Sequence, residues 1–270
     1  MNKRYNGIMI VSDMDHTMLN ASDGLSDINR AAILEFMDGG GLFGIATGRT
    51  VSGVLQFGEI LPMNIPGIVF NGAVIYDFES RKALSCCNLN IKTRQAIKCI
   101  MERFPDIGVE LHSNNGLYIV RQTVETDKHL TRELIEPIYE NIDNVADGWY
   151  KVLLARNPEI IDELDIYANE WLKENGNVFR AVFTEPQFLE FLPNEISKGS
   201  ALLELIDILK VDCKNVISIG DNMNDIEMIQ VAGVGIAVSN ALDPVKKIAD
   251  VIGCSNKQHI IRWVLDNILC

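Results

Sequence analysis

Two carboxylates stand two positions apart where a short apolar run ends. Ile8-Met9-Ile10-Val11 is apolar and partly β-branched, which predicts a buried strand, and Ser12 leads from it into Asp13-Met14-Asp15-His16-Thr17. Residues two apart on an extended chain point the same way, so both acids reach one small volume. That pairing suits a cation site, or a division of labour between a nucleophile and a proton carrier. It is also what a polar turn closing a strand looks like. Two further polar groups follow apolar runs. Thr47-Gly48-Arg49 comes after the run 42–46, and Gly220-Asp221-Asn222-Met223-Asn224-Asp225 begins where the run 216–219 ends. Lys198 opens a stretch whose apolar residues Leu202, Leu205, Ile206 and Leu209 keep the spacing of one helix face.

Brought together, Asp13, Asp15 and Asp221 would repel one another, so the group either keeps a proton or binds a cation. Oxygen ligands with positions left for water suit magnesium. Thr47 offers a hydroxyl, Gly48 a backbone N–H open to close approach, and Lys198 a point charge, all of them groups that hold phosphate. Singly, each has an ordinary reading as a turn residue or a surface lysine. Asn224 and Asp225 also read as helix N-caps.

The positions of these groups depend on the elements around them. The segment 26–37 reads as a helix capped by Ser26 and ended by Gly39-Gly40-Gly41, and another helix starts at Val51. The run 68–76 predicts a hairpin turning on Asn71-Gly72 in a type I′ turn. Between about 82 and 192 the texture changes to helix 91–104, strands 109–112 and 117–120, a long polar helix 124–139, strand 150–155, helix 158–173, and strands 179–183 and 188–192. Alternating strands and helices resume after Pro193 and finish in an amphipathic helix around Ile261, Val264, Leu265 and Ile268. The expected fold is therefore α/β: a parallel sheet flanked by helices, built from 1–81 and 193–270, with an inserted α+β unit at 82–192. In such open sheets ligands bind beyond the carboxyl ends of the strands, where all three polar groups fall.

Composition narrows the function further. Asp and Glu outnumber Lys and Arg 37 to 24, a net charge of −13, which disfavours nonspecific binding to nucleic acid or to an anionic membrane. An anionic substrate on such a chain needs a cation of its own. Six cysteines lack metal-ligand spacing and a paired framework, and so read as thiols in a reducing compartment. Neither a signal peptide nor the roughly 18-residue apolar stretch of a membrane helix is found, and the expected location is cytoplasmic.

Taken in order, Asp13-x-Asp15-x-Thr17, Ala46-Thr47-Gly48-Arg49, Lys198 and Gly220-Asp221-x-x-Asn224-Asp225 resemble the four motifs of the haloacid dehalogenase superfamily. Asn71-Gly72-Ala73, Ala232-Gly233 and Ser239-Asn240-Ala241 are similar to its Cof-type phosphatases of class IIB. The resemblance implies a Rossmann-like core with an inserted type 2 cap, and magnesium-dependent hydrolysis of a small phosphate ester, a sugar phosphate above all. It implies Asp13 as nucleophile and Asp15 as the acid that protonates the leaving oxygen and then activates water. It further implies magnesium on Asp13, Asp221 and the Asp15 backbone carbonyl, and phosphoryl contacts from Met14, Gly48, Thr47, Lys198 and Asn224, with Asp225 behind them. Two features depart from the family's pattern: His16 stands where glycine is common, and Lys257-Gln258-His259 stands where many relatives have Asp-Gly. Other readings are a phosphomutase of the phosphomannomutase type and an inactive metabolite-binding regulator. The substrate's identity and the oligomeric state are not legible.

Overall fold

The structure is a computed structural model that describes residues 4–20, 24–133 and 135–269. It divides into two compact units, Met1–Ser85 with Ser197–Cys270, and Cys86–Ile196.

The first unit is built on a five-stranded parallel sheet in the order Val251–Ile252, Val234–Ala237, Val216–Gly220, Met9–Ser12, Leu42–Ile45. Met9–Ser12 is apolar along nearly its whole length because it lies in the interior, with all four residues fully buried. One face of the sheet is covered by the helix Lys198–Leu209, whose Leu202, Leu205 and Ile206 pack with Met9, Val11 and Val216. The helix Asp27–Asp38 starts at Ser26, whose side chain accepts from the Asn29 N–H. Buried Asn29 then accepts from the Ile261 N–H and donates to the Met18 carbonyl, tying this helix to Ile260–Asn267. Because the strands are parallel, their carboxyl ends share one edge. Asp13, Ala46-Thr47 and Asp221 therefore emerge side by side from three adjacent strands.

A small sheet of Gly67–Val69, Val74–Asp77 and Lys82–Cys86 lies beside this one, joined through the bridge from Ala46 to Ile68. The hairpin forms, but its turn is not the two-residue type I′ expected of Asn-Gly. Val69 pairs with Val74, leaving a four-residue loop in which Phe70, Asn71 and Gly72 all have positive φ.

The second unit has a six-stranded sheet in the order Arg180–Glu185, Phe188–Leu192, Trp149–Ala155, Gly108–Ser113, Gly116–Arg121, Ile138–Tyr139. Only the last pairing is parallel. Ile97, Ile100, Leu164 and Ala168 from the helices Thr93–Arg103 and Asp162–Asn175 bury one face against Val109, Leu111, Val152 and Leu154. The alternate residues Glu110, His112, Lys151 and Glu190 are buried too, with the Lys151 ammonium 2.8 Å from Glu190. Burial pushes the His112 imidazole down to about 4 against the pull of Glu110, so the ring is neutral at pH 7. Two expected helices are corrected. The polar helix ends at Glu133, and Ile138–Tyr139 instead adds an edge strand beside Gly116–Arg121. The helix expected at 158–173 runs over Asp162–Asn175, since Pro158 and Glu159 lie in the turn before it.

No helix among the described residues is long and apolar enough to cross a membrane. Leu202 fixes the Lys198 helix to the sheet, so Leu202→Ala is expected to destabilise this unit by about 2–5 kcal/mol through transfer and cavity terms. The check is a lower urea midpoint at unchanged slope.

Candidate active site

Asp13 continues the strand Met9–Ser12, its N–H donating to the Ile219 carbonyl at 2.8 Å. Lys198 Nζ donates to Asp13 Oδ1 at 2.6 Å and to Asp225 Oδ1 at 2.7 Å. All three side chains are buried. Burial raises the Asp13 carboxyl well above the ordinary range; Lys198 opposes this, and Asp225 and Asp221 add to it. Burial alone would push the Lys198 ammonium down, but the two carboxylates more than reverse this and hold it well above its usual value. A lysine at the first turn also faces the positive end of its own helix, so the acids are what hold its charge there.

Asp225 is bonded on both carboxylate oxygens. Its Oδ2 accepts from the N–H groups of Asp221 and Asn222, and its Oδ1 accepts from Lys198. Capping the turn and holding the lysine are thus one arrangement, and the cap reading is part of the site. Gly220 makes it possible, because a Cβ there would lie 2.5 Å from the Asp225 Cβ. Asp221 receives the Thr17 hydroxyl on Oδ1 at 2.6 Å. Its carboxyl is raised from 3.8 to about 6 by burial and by Asp225, with Thr17, Lys198 and His16 pulling the other way. His16 takes φ 60, the left-handed conformation for which glycine is the easier choice, and its carbonyl accepts from Asn240 Nδ2.

Ligand oxygens of Asp13, Asp221 and Asp225 lie within 4.8 Å of one another. This cluster contains Asp225 where the sequence reading puts the Asp15 backbone carbonyl, but the three bonds to Asp225 commit both of its oxygens. Asp13 and Asp221, raised by burial and mutual repulsion with one ammonium among three acids, have the chemistry of a hard-cation site.

Thr47 is buried, its Oγ1 accepting from the Arg49 N–H and its carbonyl from the Asn71 N–H at 3.0 Å. Met14 is fully buried, and its carbonyl accepts from Met18 and Leu19. Asn224 donates through Nδ2 to Asn71 Oδ1 at 2.9 Å, while its own buried Oδ1 has no hydrogen-bond partner among the described residues. Asp15 is not among the clustered acids. Arg49 grips both of its oxygens, Nε to Oδ2 at 2.8 Å and Nη2 to Oδ1 at 2.7 Å.

Two residues do work that sequence reasoning left unassigned. Asn71 holds the Thr47 backbone and the Asn224 amide, and its side chain lies against Gly48. Next to it, Gly72 at φ 106 packs so closely that a Cβ would sit 2.2 Å from the Ser197 carbonyl oxygen, just before Lys198. Arg49 is the other. The signal for Asn71 was its type, since asparagine tolerates positive φ and carries an amide, but that signal also describes an ordinary turn.

The raised Asp221 carboxyl sets a pH dependence. The unfolded chain gives up this proton more readily, so the metal-free protein loses stability as pH rises from about 4 to about 6 and stays lowered above. Metal-free Asp221→Asn is therefore expected to melt above the wild type at pH 7.5, with the gap closing near pH 4. Added magnesium should raise the wild-type melting temperature and leave the variant's nearly unmoved.

The haloacid dehalogenase-like hydrolase family matches residues 10–265. The chain is 25% identical to a putative phosphatase of Haemophilus influenzae over 95% of its length and 96% of the relative's. It is 30% identical to a 5-amino-6-(5-phospho-D-ribitylamino)uracil phosphatase of Bacillus subtilis, covering 95% and 96% of the two chains. A solved haloacid dehalogenase-like hydrolase from Bacteroides thetaiotaomicron shares the fold, with a TM-score of 0.84 and 23% identity over 97% of this chain and 99% of that one. With acids, threonine and lysine of all four motifs gathered at one sheet edge and the family matched along nearly the whole chain, this protein belongs to the haloacid dehalogenase-like hydrolases, as a phosphatase of the Cof type.

Proposed function

We propose that the chain hydrolyses a small phosphorylated metabolite, a sugar or sugar-alcohol phosphate monoester, through a phosphoryl group carried on Asp13. One observation carries the reading: Lys198 is buried between Asp13 and Asp225, with Asp221 and Thr47 on the neighbouring strand ends. The Bacillus subtilis relative is named for an ester of this kind, a phosphorylated ribityl chain.

In this reading a phosphoryl oxygen takes up the Lys198 ammonium, and Thr47, the Met14 and Gly48 backbone N–H groups and Asn224 hold the rest of the phosphoryl group. An Asp13 carboxylate oxygen attacks phosphorus as the bond to the ester oxygen breaks, and Asp15 passes its proton to that oxygen. Asp15 then takes a proton from water as the water oxygen attacks phosphorus, which returns Asp13 and frees phosphate. Magnesium, held by Asp13, Asp221 and the Asp15 backbone carbonyl, would supply positive charge against the negative charge gathering on the phosphoryl oxygens. Asp225 touches no substrate and keeps Lys198 and Asp221 in place. The inserted unit supplies none of these groups; in this reading it is the cap, and its part is the choice of ester. The proposed location is cytoplasmic.

Two measurements test the assignment. Phosphate release should need magnesium and fall by at least about a thousand-fold in Asp13→Asn, consistent with the very large accelerations this chemistry requires. An Asp13→Asn protein with near wild-type turnover contradicts the assignment. Asp15→Asn, given acetyl phosphate, should retain a phosphoryl group visible by intact mass, because attack on a good leaving group survives while water activation fails. Normal turnover with no phosphorylated protein removes Asp15 from its role.

A further inference from the structure

Arg49 holds the proposed acid. The guanidinium meets Asp15 as a fork, with one N–H donor on each carboxylate oxygen. Such a pair joins two charged groups, and an arginine does not give up its proton. Held this way, Asp15 presents no hydrogen to a leaving oxygen, so the pair has to part before the ester bond can break with proton transfer. The Arg49 side chain is 12% exposed and that of Asp15 44%, so the acid is open to solvent and the arginine is tucked in. The Arg49 backbone stays fixed, its N–H on Thr47 Oγ1 and its carbonyl accepting from the Phe70 N–H. Only the side chain is therefore free to change partners, and the Phe57 ring, 5.2 Å from the guanidinium carbon, offers it a flat surface to move along. Arg49 also directly follows Thr47 and Gly48. An ester whose phosphoryl group rests on those residues brings its alcohol part to the same loop.

We propose that Arg49 determines specificity by exchange: it leaves Asp15 for an acceptor oxygen on the alcohol part of the substrate, and the freed Asp15 carboxylate, open to solvent, takes up from water the proton that it then passes to the leaving oxygen. This rests on the reading of Asp15 given above. Parting costs two charge-assisted hydrogen bonds, and only a substrate with oxygens to replace them offsets that cost. The ester class is thereby narrowed to polyol, sugar or carboxylated phosphates. Aryl phosphates without such oxygens near the ester are outside it.

The test compares kcat/KM with magnesium present for wild type, Arg49→Met and Arg49→Lys. The substrates are p-nitrophenyl phosphate and the faster of ribitol 5-phosphate and glucose 6-phosphate. p-Nitrophenolate leaves without a proton and offers no hydroxyl beside the ester. Arg49→Met should lose about ten- to a hundred-fold on the polyol or sugar ester, and at least ten-fold more there than on p-nitrophenyl phosphate. Arg49→Lys should show the same split at smaller size, because it keeps the charge and loses the fork. Equal losses on both substrates overturn the proposal, since Arg49 would then only brace Asp15 for the water step that all esters share. No loss on either overturns it as well. If Arg49→Met fails to give a folded melting transition, Arg49→Lys decides alone by its split. Failure of the underlying reading looks different: the wild type releases no phosphate from either ester, or Asp13→Asn releases as much as the wild type.

Discussion

The site depends on one buried cation between two buried anions. Lys198 lies within 2.7 Å of both Asp13 and Asp225, out of water and at the positive end of a helix dipole. None of the three would be tolerated there singly, because an isolated charge in a protein interior is far costlier than a paired one. Asp225 can reach the lysine only from a turn whose amides it also caps, and that turn places Asp221 at the end of its strand. Asp13 meets the lysine only as the first residue beyond a strand paired in register with Val216–Gly220.

Behind the charges stands a layer of backbone in uncommon conformations. His16, Phe70, Asn71 and Gly72 all have positive φ, and they flank the two loops that carry Asp15 and Thr47. Such conformations persist only where the surroundings overdetermine them, and they collect at functional sites. Here the surroundings are identifiable: the Asn240 amide on the His16 carbonyl, the Thr47 carbonyl on the Asn71 N–H, and Ser197 against Gly72. The negative charge left over among the acids is of the kind a cation would balance.

Much of this was legible because strand ends are punctuated. A buried parallel strand is a largely apolar run, so Asp13, Thr47 and Asp221 stand out just past 8–11, 42–46 and 216–219. Parallel pairing then forces those ends onto one edge. Side-chain partners were not legible. Nothing local says that Arg49 turns back to Asp15, or that Asn71 serves three neighbours, since each choice is made by tertiary packing. The helix read through 139 is a different case. Pro137 was a legible stop signal that the reading ran past, and pairing with the Gly116–Arg121 edge then decides the state of Ile138–Tyr139.

The arrangement has a consequence for how the protein is made. The bond from Thr17 to Asp221 spans 204 positions, and Val216–Gly220, the neighbour of Met9–Ser12, is equally remote. At about 5–20 residues per second, a ribosome takes about ten to forty seconds to deliver that partner. The Cys86–Ile196 unit is unbroken in sequence and has its own core, so it can close during that wait. The segment 4–85 meanwhile holds an incomplete sheet with an open hydrogen-bonding edge on Met9–Ser12. For that interval the nascent chain exposes the kind of unpaired strand edge that invites mispairing, and the sheet closes only once Val216–Gly220 and Val234–Ala237 have been made.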